Sequence, residues 1–160
     1  MQLTIGIGEM AVTKNPDDVI ITHALGSCLG ITIFDPVANV GGMLHALLPS
    51  QKDKESKNGK KPTFYVDTGT PLLFKACYEL GAKKQRLIVK VAGGASTKTD
   101  PDKDMFQIGR RNFTALRKIL WKNGVLINKH DVGGADPRTM TLILVDGEVK
   151  ISSKGKTSNL

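Results

Sequence analysis

The stretch that decides the fold is His23–Pro49, "HALGSCLGITIFDPVANVGGMLHALLP". Two runs within it, "GITIFD" and "GGMLHALL", are rich in apolar and β-branched residues and flank "PVAN". Asp35-Pro36 suits the start of a type I turn, so the pair reads as a β-hairpin. If "PVAN" is the loop, Asp35 faces Val40 and Gly30 faces His45. Cys28 then lies diagonal to His45 on the same face, where such neighbours stand roughly 7–8 Å apart. An even loop length keeps the thiol and the imidazole on one face; an odd one separates them.

Outward from the hairpin, the N-terminal side offers short strands at Gln2–Ile7 and Met10–Thr13, then "DVIITHAL", Asp18–Leu25. On the other side, "SQKDKESKNGKK", Ser50–Lys61, has no hydrophobic periodicity and reads as a solvated loop. A helix is expected over Asp67–Leu80, ended by Gly81. "QRLIVKVAGG" is a strand running into glycines. A second helix is expected over Met105–Lys122, with Phe106, Gly109, Phe113, Leu116 and Leu120 on one stripe. Gly109 would let that helix approach a sheet closely, and Arg111, Lys118 and Lys122 fall on a solvent face. "VLINKHDVGG", "TMTLILVD" and "EVKISS" complete the strands, the last two joined by the hairpin signal Asp146-Gly147. The pattern is mostly β with two helices, hence an α+β or layered α/β domain. We expect one domain over residues 1–153 and a frayed, flexible tail over 154–160.

Composition narrows the class. Hydrophobic residues make up 40% and charged residues 24% of 160, which fits a globular fold and not a disordered one. No apolar run approaches the roughly 20 residues of a membrane helix, and "MQLTIGIGEM" has no secretory leader, so no membrane insertion is expected. Two cysteines are too few for a disulfide scaffold, which points to a reducing, cytoplasmic setting. The net charge of +8 suggests an acidic partner, but with 5% aromatics and no nucleic-acid motif we expect no nucleic acid.

Cysteine and histidine carry the chemistry. A thiol beside an imidazole is an activated nucleophile, because the histidine takes the proton. Gly26 and Ser27 allow a tight turn that exposes sulfur and backbone N–H groups able to hold an oxyanion. A third group usually fixes the histidine tautomer, and Thr22, at the end of the preceding strand, is the candidate. The structural alternative is a buried cysteine acting as a small hydrophobe and a satisfied core histidine. Spacing alone leaves both open. Two cysteines and three histidines show no CxxC or HxxxH pattern, so no metal site is read.

The sequence resembles the CheD family of chemoreceptor glutamine deamidases. The residues that carry the resemblance are "LGSCLGITIFDP" (Leu25–Pro36), "GGMLHALLP" (Gly41–Pro49) and "YVDTGTPLL" (Tyr65–Leu73). "AGGA" (Ala92–Ala95), "IGRRN" (Ile108–Asn112) and "DVGG" (Asp131–Gly134) follow in the same order. The resemblance implies hydrolysis of receptor glutamines to glutamates, with Cys28 as nucleophile, His45 as base and Thr22 orienting the histidine. It implies an α+β fold of packed β-sheets with flanking helices, similar to the deamidating toxins related to cytotoxic necrotizing factor. It also implies bacterial chemoreceptors as substrate, a CheC-type phosphatase as partner, and no cofactor or metal. Thr97 and Pro137 depart from the family pattern, where a methionine and a glycine are common, and touch loops rather than the Cys-His pair. Two other readings stand beside this one: a non-catalytic adaptor for the phosphatase, and a transglutaminase in which an amine resolves the same thioester.

Overall fold

The computed structural model describes residues 1–52, 60–96 and 106–160. Four strands open the chain in alternation with turns: β1 (Gln2–Ile5), β2 (Met10–Thr13), β3 (Val19–Leu25) and β4 (Leu29–Asp35). β5 (Val40–Ala46), α1 (Val66–Glu79), β6 (Ile88–Gly93) and α2 (Ile108–Lys122) follow. The chain closes with β7 (Lys129–Val132), β8 (Arg138–Ile143), β9 (Glu148–Ser153) and β10 (Lys156–Asn159). The described residues form two five-stranded sheets, ordered β1-β3-β8-β9-β10 and β2-β5-β4-β6-β7. The fold is α+β: two packed sheets, with both helices on the outer face of the second.

Side-chain alternation explains the three layers. β4 and β5 are buried on both faces and contain no exposed position. One face of β4 carries Leu29, Ile31 and Ile33, which pack with Leu73 and Phe74 of α1 and Leu116 of α2. The other face carries Phe34, which joins Met43 of β5 against Ile20, Met140, Leu142 and Val149 of the first sheet. The second sheet is therefore the middle layer, and its β4–β5 hairpin has no solvated face to tolerate a slip in register.

The hairpin closes through the four-residue loop, with Asp35 opposite Val40 and Gly30 opposite His45. Asp35 organises that turn. Its Oδ1 accepts the N–H groups of Val37 at 2.9 Å and Ala38 at 3.1 Å. The same carboxylate, fully buried, accepts the Lys83 N–H at 2.9 Å and pairs with Arg86 at 2.9 Å. The turn is thus tied to the segment entering β6.

Three expectations are corrected. The tail 154–160 is not frayed: Lys156–Asn159 pairs antiparallel with β9, and the Leu160 N–H donates to the Val149 carbonyl at 2.8 Å. Lys154 and Gly155, at φ 52 and 74, make a two-residue turn of the kind whose twist matches paired strands. Phe106 does not join the buried stripe of α2. The chain enters that helix through Gln107 at φ 45, which takes Phe106 off the helical screw and leaves it 55% exposed. The strand expected at "VLINKHDVGG" begins only at Lys129, after Asn128 has bonded Val89 through both its backbone and its side chain. Met105 and Thr97 lie outside the described residues.

Candidate active site

Thr22 of β3 and His45 of β5 belong to different sheets and meet in the layer between them. Both are buried, and Thr22 Oγ1 stands 2.7 Å from His45 Nδ1. The Thr22 hydroxyl donates to the Ile5 carbonyl at 2.8 Å. A hydroxyl has one hydrogen, so towards the ring its oxygen accepts. This assigns the tautomer: Nδ1 carries the proton and Nε2 presents a bare lone pair. Nε2 is itself buried and has no hydrogen-bond partner.

Cys28 sits at the corner where the chain passes from β3 of the first sheet to β4 of the second. The corner begins with a register shift between Thr22 and Leu25, with Ala24 at φ 58. The Gly26 N–H closes back on the Ala24 carbonyl at 3.0 Å. Cys28 is 6% exposed and packs in the inter-sheet core. Two residues on, Gly30 is the direct partner of His45, so Cys28 approaches the histidine from the diagonal position on the same side.

The carbonyls of the corner are held from one direction. The Gly26 oxygen accepts from Ala95 N at 2.8 Å, and the Cys28 oxygen from Gly94 N at 2.8 Å. The Ser27 oxygen accepts from the Asn112 side-chain amide at 2.9 Å. In a trans peptide the N–H points opposite to the preceding carbonyl. Pinning the Gly26 and Ser27 carbonyls therefore aims the N–H groups of Ser27 and Cys28 to the other side. Among the described residues, neither donates to another backbone carbonyl. Gly93, at φ 105, is required here because a Cβ would overlap the Cys28 carbonyl oxygen. Gly109 lets α2 rest on the Gly94-Ala95 backbone, where a Cβ would clash.

Burial sets the protonation states. It raises the Cys28 thiol to about 11, against a smaller opposing effect of its own backbone N–H. It lowers His45 to about 4. At neutral pH both groups are uncharged, so Cys28 rests as a thiol rather than a thiolate.

The structure thus gathers Thr22, Cys28 and His45 in one layer, with Ser27 beside them. Gly26 serves the turn, since its own N–H is spent on Ala24. Sequence reasoning missed Asn112, which is fully buried. Its signal was its place on the stripe of Gly109, Leu116 and Leu120, all buried with it. Among the described residues no group of three or more potential metal ligands occurs. Two surface clefts formed by described residues lie away from these side chains. One of about 330 Å³ runs between α1 and α2, and another, of about 490 Å³, is lined by Pro49, Ser50, Asp67, Arg110 and Lys118 among others.

An α+β domain of two packed sheets, with a bare imidazole nitrogen and a thiol in the layer between them, is the class that the fold and site define. Comparison with known proteins gives the family. Residues 47–153 match the family model described as CheD chemotactic sensory transduction. A probable chemoreceptor glutamine deamidase CheD 1 from Syntrophus aciditrophicus is 46% identical over 151 residues, covering 94% of this chain and 93% of that one. A protein described as a probable CheD of the same kind from Solibacter usitatus is 42% identical, with 99% and 93% covered. One from Pyrococcus abyssi is also 42% identical, with 94% and 90% covered. The chain belongs to the CheD family. A solved Neisseria meningitidis structure of the DUF152 family model superposes with a TM-score of 0.47 at 7% identity, covering 83% of this chain and 63% of that one. No helix among the described residues is long and apolar enough to cross a membrane.

Proposed function

We propose that this protein hydrolyses the side-chain amide of glutamines on bacterial chemoreceptors, giving glutamate and ammonia, as part of chemotactic adaptation. The observation that supports the mechanism is the hydrogen-bond chain Ile5–Thr22–His45, which leaves Nε2 bare and, on this reading, presents it as acceptor for the Cys28 proton. The Cys28 proton passes to Nε2 as sulfur attacks the glutamine Cδ. The resulting oxyanion accepts from the Ser27 and Cys28 N–H groups. The C–N bond breaks, ammonia leaves with the proton held by His45, and a thioester remains. Water then attacks that carbon, giving its proton to Nε2. The C–S bond breaks, glutamate is released, and the proton returns to sulfur. Atoms and charges balance with water alone, and the scheme uses no cofactor.

The setting proposed is the cytoplasm, where a reduced thiol persists and receptor signalling helices are accessible. A CheC-type phosphatase is the proposed protein partner, and the sheet-and-helix arrangement is proposed to be akin to that of the deamidating toxins. The Thr97 and Pro137 departures are expected to affect substrate or partner fit more than the reaction. The deciding experiment measures ammonia released from receptor protein, with and without added primary amine, for wild type and Cys28→Ala. Release that requires Cys28 and water supports the reading. Covalent incorporation of the amine in place of hydrolysis would make the protein a transglutaminase, and no release would leave an adaptor.

A further inference from the structure

Asn112 is the one polar side chain on the buried stripe of α2, and it has no solvent exposure. Its amide nitrogen donates to the Ser27 carbonyl at 2.9 Å and to the Leu47 carbonyl at 3.1 Å. Both acceptors are carbonyls, so both hydrogens of a single NH₂ are used and the amide can point only one way. The first acceptor belongs to the peptide whose N–H is that of Cys28. The second lies two residues beyond His45, at the end of the strand that carries it. One side chain from a third element therefore bridges the nucleophile's corner and the base's strand. Asn112 Oδ1 is left buried without a partner. Such an atom is a cost to folding, and an apolar residue between Gly109 and Leu116 would avoid it.

We infer that Asn112 is a positioning residue for catalysis: by holding the Ser27 carbonyl it keeps the Cys28 N–H turned towards the developing oxyanion. The inference rests on the deamidation reading above. Without the clamp the Ser27–Cys28 peptide is free to rotate. Rotation would replace a donor with a carbonyl oxygen, which repels negative charge at the reacting carbon. Because both tetrahedral intermediates need the donor, the loss falls on kcat for both half-reactions. Binding of the glutamine segment, and so KM, is left nearly as it was.

The test separates oxyanion stabilisation from thiol activation. Deamidation of receptor protein passes through an oxyanion; alkylation of Cys28 by iodoacetamide is a displacement at a saturated carbon and does not. Asn112→Leu is expected to lower kcat on the order of 100-fold, as loss of one oxyanion donor does elsewhere. KM and the Cys28 alkylation rate should stay close to wild type, with Cys77 still protected. Asn112→Ser, which keeps one O–H donor, should recover part of the loss, and it replaces the leucine variant if that one does not fold. The inference is overturned if kcat is retained, or if kcat and Cys28 alkylation change in parallel as Cys77 becomes labelled, which is the mark of a merely loosened core. Wild type run alongside keeps the two readings apart: no ammonia from wild type counts against deamidation, whereas active wild type with an equally active Asn112→Leu counts against Asn112 alone.

Discussion

Thr22 and His45 are 23 residues apart, belong to different sheets, and touch at 2.7 Å through Oγ1 and Nδ1. The threonine hydroxyl is itself committed to the Ile5 carbonyl. This relationship fixes the orientation of the imidazole and its tautomer before any substrate arrives.

Graded losses follow from it. Cys28→Ala is expected to abolish deamidation. His45→Ala should cost about 10²–10⁴-fold, the usual contribution of a general base. Thr22→Ala should cost less, about 10–100-fold, because the base remains and only its support is lost. Thr22→Ser should retain most of the rate. Steady-state rates on receptor protein check the order. A Thr22→Ala variant as inactive as Cys28→Ala, with its fold intact, would mean that Thr22 contacts the substrate itself.

The two thiols should separate under alkylation. Cys28 is 6% exposed at a corner, whereas Cys77 is wholly buried in α1 between the helix and the middle sheet. Burial raises Cys28 to about 11 and Cys77 to about 12, so both are slow compared with an ordinary exposed thiol. Peptide mapping after timed iodoacetamide treatment at neutral pH should find the label on Cys28 well before Cys77. Earlier labelling of Cys77 would overturn the assignment.

The pH profile should carry the mark of a buried base. His45 must be neutral to accept a proton, and burial lowers it from 6.5 to about 4. The rate should therefore hold as pH falls through 6 and decline only towards 4. Between those two values the unfolded chain binds a proton that the folded chain refuses, so stability falls as pH drops from 6.5 towards 4. His45→Gln should remove that part of the slope. Denaturant titrations at several pH values measure it, and rates at the same pH values locate the acid limb.

A second acid-sensitive element lies far from the chemistry. Burial alone would raise Asp35, but the Arg86 guanidinium and the N–H groups of Ala38, Lys83 and Val37 outweigh it and hold the carboxyl below its usual range. The stabilisation from this depressed group is present above the unfolded value of 3.8 and is lost as pH falls through the folded one. Arg86→Met would leave a buried carboxylate without its cation. The expected cost is at the low end of about 3–5 kcal/mol, since the Arg86 side chain keeps 30% exposure. Urea unfolding at pH 7 measures the loss, and Asp35→Asn should flatten the acid slope of stability.

The hairpin and its consequence for Cys28 and His45 were legible because strand alternation is strict and "PVAN" has a natural length. With a four-residue loop, pairing arithmetic put the two residues on one side, which the sequence permitted without proving. β10 was not legible. "KTSN" is polar at every position and lies on a sheet edge, so no buried face writes a period into it. Its cue was Lys154-Gly155, a turn that works only when both residues adopt positive φ. Asn112 escaped for a different reason: a polar residue on a helix is ordinarily read as solvated, although its offsets from Gly109 and Leu116 set it on the buried face. The clamp on the Cys28 corner by Gly94, Ala95 and Asn112 joins segments about 65–85 residues apart in the chain, a separation that no local pattern can encode.

The chain changes sheets at Gly26-Ser27, so Thr22 travels with one sheet while Cys28 and His45 travel with the other. Closing the two sheets on each other is what brings the Thr22 hydroxyl to the ring, so the orientation of the imidazole belongs to the assembled layers and to neither sheet alone.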